Sequence, residues 1–286
     1  MSRQRQSSRP LLLAIPGIVC LTALLIIPLM MVGWESLLPH VAGRIGAAEH
    51  GLTFDNYREI FSPAYALYFY DTFRIGLIAS LISLVFAYPI AYLIATETRS
   101  ARRRFYITFF VSMMFLSVLA RVYSIALTFG PVGFLRPISL WLGVNPNGQG
   151  MTEALVIMGL VHLTLPITAL TLVSALQNIN PRLLEAAQSL GSARWHSHLM
   201  VTLPLSTTAA LSAFLISYSL CISAFIIPMV LGKGRVLFVS NLIYSRFGEV
   251  TNFPGGAAIA IALLIATLLI VYCLSSVAGR RREARS

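Results

Sequence analysis

The sequence predicts an all-α integral membrane protein with six transmembrane helices and both termini on the same side of the bilayer. Three observations carry that expectation. Hydrophobic residues make up 57% of the 286 and charged residues only 11%, with a mean hydropathy of +0.79; a soluble domain of this length needs far more charge. Six nearly uncharged apolar runs of at least 21 residues each punctuate the chain, and about 20 residues cross the hydrocarbon core as a helix. The basic residues, 20 of the 21 of them Arg, concentrate in alternate connecting segments.

The runs, in order, are Leu11 to Trp34, Ile75 to Ala95, Phe105 to Leu127, Ala154 to Leu176, Leu205 to Leu231 and Ala257 to Val277. The first follows Arg3, Arg5 and Arg9 as a signal peptide would, but it is too long and no small-residue cleavage site follows, so it is expected to stay as an anchor. Pro16, Pro28, Pro89, Pro166 and Pro228 lie inside runs, where each removes a backbone donor and favours a kink. Cys20, Cys221 and Cys273 sit within apolar runs without metal-type spacing and read as small packing residues.

Orientation follows from the Lys and Arg distribution. The termini with the segments 96–104 and 177–204 hold thirteen, including "RSARRRF" and "GRRREAR". The three longer intervening loops hold seven, offset by Glu35, Glu49, Asp55, Glu59, Asp71, Glu153 and Glu249. The dense set is therefore expected in the cytoplasm. The net charge of +11 becomes a topology signal, and the short loops offer no folded basic surface for nucleic acid. Short surface helices are expected at 54–61 and 137–142.

One cytoplasmic segment is long: QNINPRLLEAAQSLGSARWHSHLMVTLP, residues 177–204. Asn180 with Pro181 makes a helix start, and Gly191 suits the left-handed residue that ends a helix. A second short helix over "ARWHSHLM" is expected before Leu203-Pro204 opens the fifth span.

Within that segment Glu185-Ala186-Ala187, three residues, Gly191, nine residues, Val201, one residue and Leu203-Pro204 resemble the EAA loop of binding-protein-dependent ABC importer permeases, with Val where that family has Ile. Agreement at six of these seven positions arises by chance in fewer than about one chain in ten thousand at average residue usage. "FLSVLARVYSIAL", "LPITALTLVSALQNINPRLLEAAQSLG", "FIIPMVLGKGR" and "RFGEVTNFPGGAAIAIALL" extend the resemblance to the spermidine/putrescine branch. The resemblance implies a type I importer permease fold: 1–70 as tail, first span and outer loop, 71–278 as the permease domain, and 279–286 as a basic cytoplasmic tail. It implies that Glu185, Ala186, Ala187, Gly191, Val201, Leu203 and Pro204 form a coupling knob against a cytoplasmic ATPase. Implied partners are a homologous permease subunit, an ATP-binding cassette ATPase dimer, an extracytoplasmic substrate-binding protein and the bilayer.

No GxxxxGK[ST] phosphate loop occurs, and "GKGR" at 232–235 is short and on the outer side, so ATP hydrolysis is expected of a partner, with no cofactor on this chain. Arg121 lies within the third span, where pairing or snorkelling is the expected role. His162 is expected to be a hydrogen-bonded packing residue, with pore lining as the alternative. His196 and His198 lack a third ligand nearby and are expected to meet solvent or the ATPase rather than a metal. With no Asp or Glu in any run, a cation would meet aromatics such as Tyr88, Tyr92 and Tyr123, carbonyls, or the partner permease.

The expected function is import of polyamines as one permease subunit. The alternatives are the same role for an opine, phosphonate, ferric iron or amino-acid derivative, or a stand-alone secondary transporter. The last would ordinarily carry an intramembrane acid and repeated broken helices, and neither is evident in the sequence. An intramembrane protease would need a nucleophile motif paired with a base, and none occurs.

Overall fold

The computed structural model describes residues 9–40 and 51–283. Arg3, Arg5, Glu49 and residues 284–286 of the expected tail lie outside them. Five helices in the described residues are long and apolar enough to cross a membrane, or six if the bent pair Ser100–Phe115 and Val118–Phe129 counts as one span. The helices are α1 (Arg9–Glu35), α2 (Asp55–Ile60), α3 (Pro63–Thr96), α4 (Ser100–Phe115), α5 (Val118–Phe129), α6 (Arg136–Trp141), α7 (Gln149–Gln177), α8 (Pro181–Ser189), α9 (Arg194–Ser197), a π-helical turn (His198–Thr202), α10 (Leu203–Ser223), α11 (Ile226–Gly232), α12 (Val239–Gly248) and α13 (Phe253–Glu283). The expected surface helices are present as α2 and α6, whereas α12 has no local signal in the sequence.

The chain divides into two compact units. In the first, which comprises the chain up to Ser62 and Ile243–Leu263, α1 is apolar on all sides and exposes Leu21, Leu24, Leu25 and Met30. A helix hydrophobic all round is stable only in lipid or against other apolar helices. Its end is tied to α2 by Asn56, whose Nδ2 donates to the carbonyls of Ser36 and Leu38 at 2.9 Å, and by the Ser36–Tyr57 hydroxyl pair at 2.7 Å. Arg246 donates to Glu59 at 2.8 Å. Asn252 starts α13 by accepting from the Gly255 N–H at 2.8 Å.

The second unit, Pro63–Leu242 with Leu264 onward, is built on α3, α7 and α10 packed side by side. Lipid tails are as apolar as Leu, so helices in a membrane associate through close packing and internal hydrogen bonds. Small side chains supply the closeness: Ala79, Ala87, Ala91, Ala169 and Ala213 are fully buried. Ser83 and Thr164 join α3 to α7 through a buried hydroxyl pair at 2.7 Å. Gly159 of α7 permits the nearest approach, because a Cβ there would stand 2.9 Å from Ile227 Cγ2 and 3.0 Å from Leu231 Cδ1 of α11. At one end Arg74 joins Glu153 at 2.9 Å and Asp71 at 3.3 Å, linking the starts of α3 and α7.

Three sequence expectations are corrected. The third run is not a continuous helix: α4 and α5 meet at 91° across Leu116-Ser117. The fifth run breaks at Ala224-Phe225, between α10 and α11. Pro228 cannot donate to the Ala224 carbonyl four residues back; Ser240 Oγ donates to it instead at 2.7 Å, while the Phe225 carbonyl keeps its bond from the Met229 N–H at 3.2 Å and gains one from Asn241 Nδ2 at 3.3 Å. Helix breaks at membrane depth persist when protein groups re-satisfy the freed carbonyls in this way. Leu203-Pro204 does not open the fifth span either. Helical structure runs without interruption from Arg194 to Ser223, and the wide π-turn immediately before Leu203 absorbs the missing proline donor.

Candidate functional site

The segment after α7 folds as a projecting knob. Asn180 caps α8, its Oδ1 accepting from the Arg182 N–H at 3.1 Å, with Pro181 as the first helical residue. No residue of α8 is buried. The helix ends where Gly191 takes φ +89°, its N–H donating to the Gln188 carbonyl at 2.9 Å while the Ser192 N–H donates to the Ala187 carbonyl at 3.2 Å. These bonds satisfy carbonyls that the helix end leaves free. Space is not what selects glycine, since a Cβ would meet nothing within 4 Å; the positive φ is.

From Gly191 the chain turns into α9 and the π-turn, against which α8 packs. Between α8, the π-turn, the end of α7, the end of α3 and the start of α4 lies a cavity of about 610 Å³. Glu185, Gln188, Val201, Glu97, Arg103 and Tyr92 are among the residues lining it. Of the seven motif residues, the fold thus places Glu185 and Val201 on the cavity. Ala186 is exposed on α8 and Ala187 is half-buried. Gly191 makes the turn, and Leu203 and Pro204 are exposed at the start of α10. Leu183, Leu190, Trp195 and Met200 present apolar surface around the knob. An apolar surface of this kind beside charged groups is the usual form of a protein contact site.

His198 corrects the expectation of solvent contact. It is 7% exposed, with its ring 4.0 Å from that of Tyr92, 5.8 Å from Tyr88 and 6.1 Å from Trp195. Tyr88 in turn shares a hydrogen bond with Ser206 of α10 at 2.8 Å. The knob is therefore keyed to α3 by an aromatic contact. A sequence cannot announce that contact, because Tyr92 and His198 are far apart in the chain and share no pattern. His196 is exposed, and among the described residues no three His, Cys, Asp or Glu side chains gather as metal ligands.

The intramembrane candidates separate. Arg121 is 6% exposed and donates to the Met113 carbonyl, and its Nε has no partner. His162 is half-buried with an unpartnered Nδ1. Tyr88 and Tyr92 belong to the cluster beside the knob, whereas Tyr123 is exposed on α5. The three tyrosines do not form one aromatic site.

Five or six apolar spans, broken helices satisfied by polar side chains and an exposed helical knob describe a multi-pass membrane protein. Residues 77–282 match the family described as binding-protein-dependent transport system inner membrane component. The chain belongs to that family and is a multi-pass protein of the inner membrane. It is 32% identical over 225 residues to the spermidine/putrescine transport system permease protein PotB of Haemophilus influenzae, covering 77% of this chain and 78% of that protein. It is 29% identical over 228 residues to PotB of Escherichia coli, covering 78% and 82%. Its fold resembles a chain of the bacterial alginate ABC transporter solved in complex with an alginate pentasaccharide-bound periplasmic protein, with a TM-score of 0.76, 17% identity and 98% of each chain covered.

Proposed function

We propose that this chain is a permease subunit of an ATP-driven polyamine importer, forming half of the translocation pathway and coupling it to a cytoplasmic ATPase. The observation that carries the reading is the knob. A capped helix with no buried residue stands on a glycine turn, and the structure leads from there through the π-turn directly into the long helix α10. In this reading the knob, the basic segments and both termini face the cytoplasm, and 71–278 is the transport domain. The charge distribution and the relatives' names support the orientation and the substrate class.

The mechanism follows from what each residue touches. An ATPase cleft would receive α8, with Glu185 offering a carboxylate to a basic or backbone donor and Ala186 allowing close approach. A push on α8 passes to the π-turn it packs against, and the His198–Tyr92 contact transmits it to α3 while α10 moves as the continuation of the same helix. α3, α7 and α10 share one packed interface, so displacement of the knob re-orients the bundle as a unit. ATP binding would close the ATPase dimer and turn the pathway outward, and hydrolysis would reset it. A binding protein on the outer side would deliver the substrate. The apolar runs of this half contain no carboxylate, so a polycation crossing here meets carbonyls, aromatics and the second permease rather than a fixed counter-charge.

The test is co-purification of the tagged chain from its native membrane, followed by reconstitution with the captured ATPase, permease and binding protein. ATP-dependent uptake of spermidine or putrescine is expected. Uptake of a different solute with no polyamine transport replaces the substrate class, and uptake without any ATPase overturns the assignment as a whole.

A further inference from the structure

We propose that Arg121 is the positioning residue that holds the third span bent, its guanidinium taking the place of the backbone donor that the break removes. In a continuous helix the Met113 carbonyl would accept from the N–H of Ser117, four residues on. Here Leu116 and Ser117 are both extended at ψ 131°. The carbonyl accepts instead from the Leu116 N–H at 3.3 Å and from the Arg121 side chain.

Sharp kinks arise at proline, at Gly/Ser pairs, at π-bulges, or where a side chain enters the backbone ladder. Residues 110–120, FVSMMFLSVLA, contain no proline or glycine, and α4 and α5 are regular on either side. Side-chain entry is the cause that remains, and Arg121 is the side chain that enters. A cation at this depth is costly unless it is bonded internally. Arg121 is buried and forms no ion pair with a carboxylate among the described residues, so the Met113 carbonyl is the acceptor its guanidinium finds, completing the long Leu116 N–H bond that the break leaves there.

The bend has a packing consequence. It turns α5 so that Val122 and Ile125 join the cluster of Val156, Leu160, Ile227 and Leu231 from α7 and α11. Val118, the first residue beyond the bend, lines the same small cavity as Ala224, Phe225 and Ile226 at the break of the fifth run. Arg121 thereby sets the direction of the helix that meets the second break.

The experiment uses the full chain in lipid nanodiscs, with Cys20, Cys221 and Cys273 replaced by Ala and spin labels at Phe109→Cys and Leu127→Cys, both exposed positions. At 1.5 Å per residue the labelled backbones stand about 18 Å apart across a right-angle bend and about 27 Å apart in a straight helix. The unsubstituted Arg121 chain and Arg121→Lys, which keeps a charged donor, are expected to give the short distance. Arg121→Met, which keeps the bulk and loses the donor, is expected to lower the bent-to-straight ratio by about tenfold or more, the range a hydrogen bond to a charged group covers. Failure of Arg121→Met to accumulate, with Arg121→Lys accumulating in the bent form, also supports the clasp. A bent-to-straight ratio in Arg121→Met equal to that of the unsubstituted chain, or loss of the short distance in Arg121→Lys, overturns the proposal.

Discussion

Replacing Gly191 separates two reasons a glycine can be needed. Its φ of +89° lies in a region that L-residues adopt at a cost of about 1–2 kcal/mol, while a Cβ there would touch nothing within 4 Å. The penalty is therefore conformational rather than steric. Gly191→Val should lower the population of the native turn by about 5- to 30-fold, Gly191→Ala by somewhat less, and Gly191→Asn least, because Asn tolerates left-handed backbone best. Asn and Val are of similar bulk, so size cannot produce that order. The assay is ATP-driven uptake by the reconstituted complex, scaled to the amount of chain in the membrane, which should be equal in all three variants because the turn is exposed. Equal losses for Asn and Val, or losses that follow side-chain volume up to Gly191→Trp, would refute the conformational argument.

Glu185→Lys reverses a charge on the cavity rim without touching the buried core, so insertion should persist while uptake is lost; normal uptake would count against a coupling role for this carboxylate. Gly159→Ala places a methyl group 2.9 Å from Ile227 Cγ2 and should destabilise the detergent-solubilised protein by about 1–3 kcal/mol. A thermal melt reads the loss, and an unchanged melting temperature would refute the close approach. Thr164→Val removes the hydroxyl that bonds Ser83 and should cost about 0.6–2 kcal/mol; no change in the melt would mean that the pair contributes nothing net. The purified chain alone should hydrolyse no ATP, and turnover by a clean preparation would reverse that expectation.

Much of the knob is legible in the amino-acid sequence. Asn180, Pro181 and Gly191 are local signals for a cap, a first turn and a left-handed stop, and each depends only on its immediate neighbours in the chain. The apolar runs are legible for a similar reason, because the bilayer imposes one length on every span. Within the candidate site, the placement of Glu185 and Val201 on the cavity is not legible, because it depends on where α3 and α4 close the cavity. The burial of His198 is hidden for the same reason: "ARWHSHLM" reads as a short helix with its histidines toward solvent or a partner until Tyr92 is brought against it.

By itself, then, the sequence determined the membrane class, the order of the apolar runs, and the capped helix with its glycine stop, since hydropathy and backbone preference act over a few residues. Tertiary structure alone decided where the third and fifth runs break, how the π-turn merges the knob into α10, and which side chains hold those irregularities. A backbone carbonyl freed within a membrane must find a donor, and the side-chain donors here are Arg121 and Ser240, brought into place only when the helices pack.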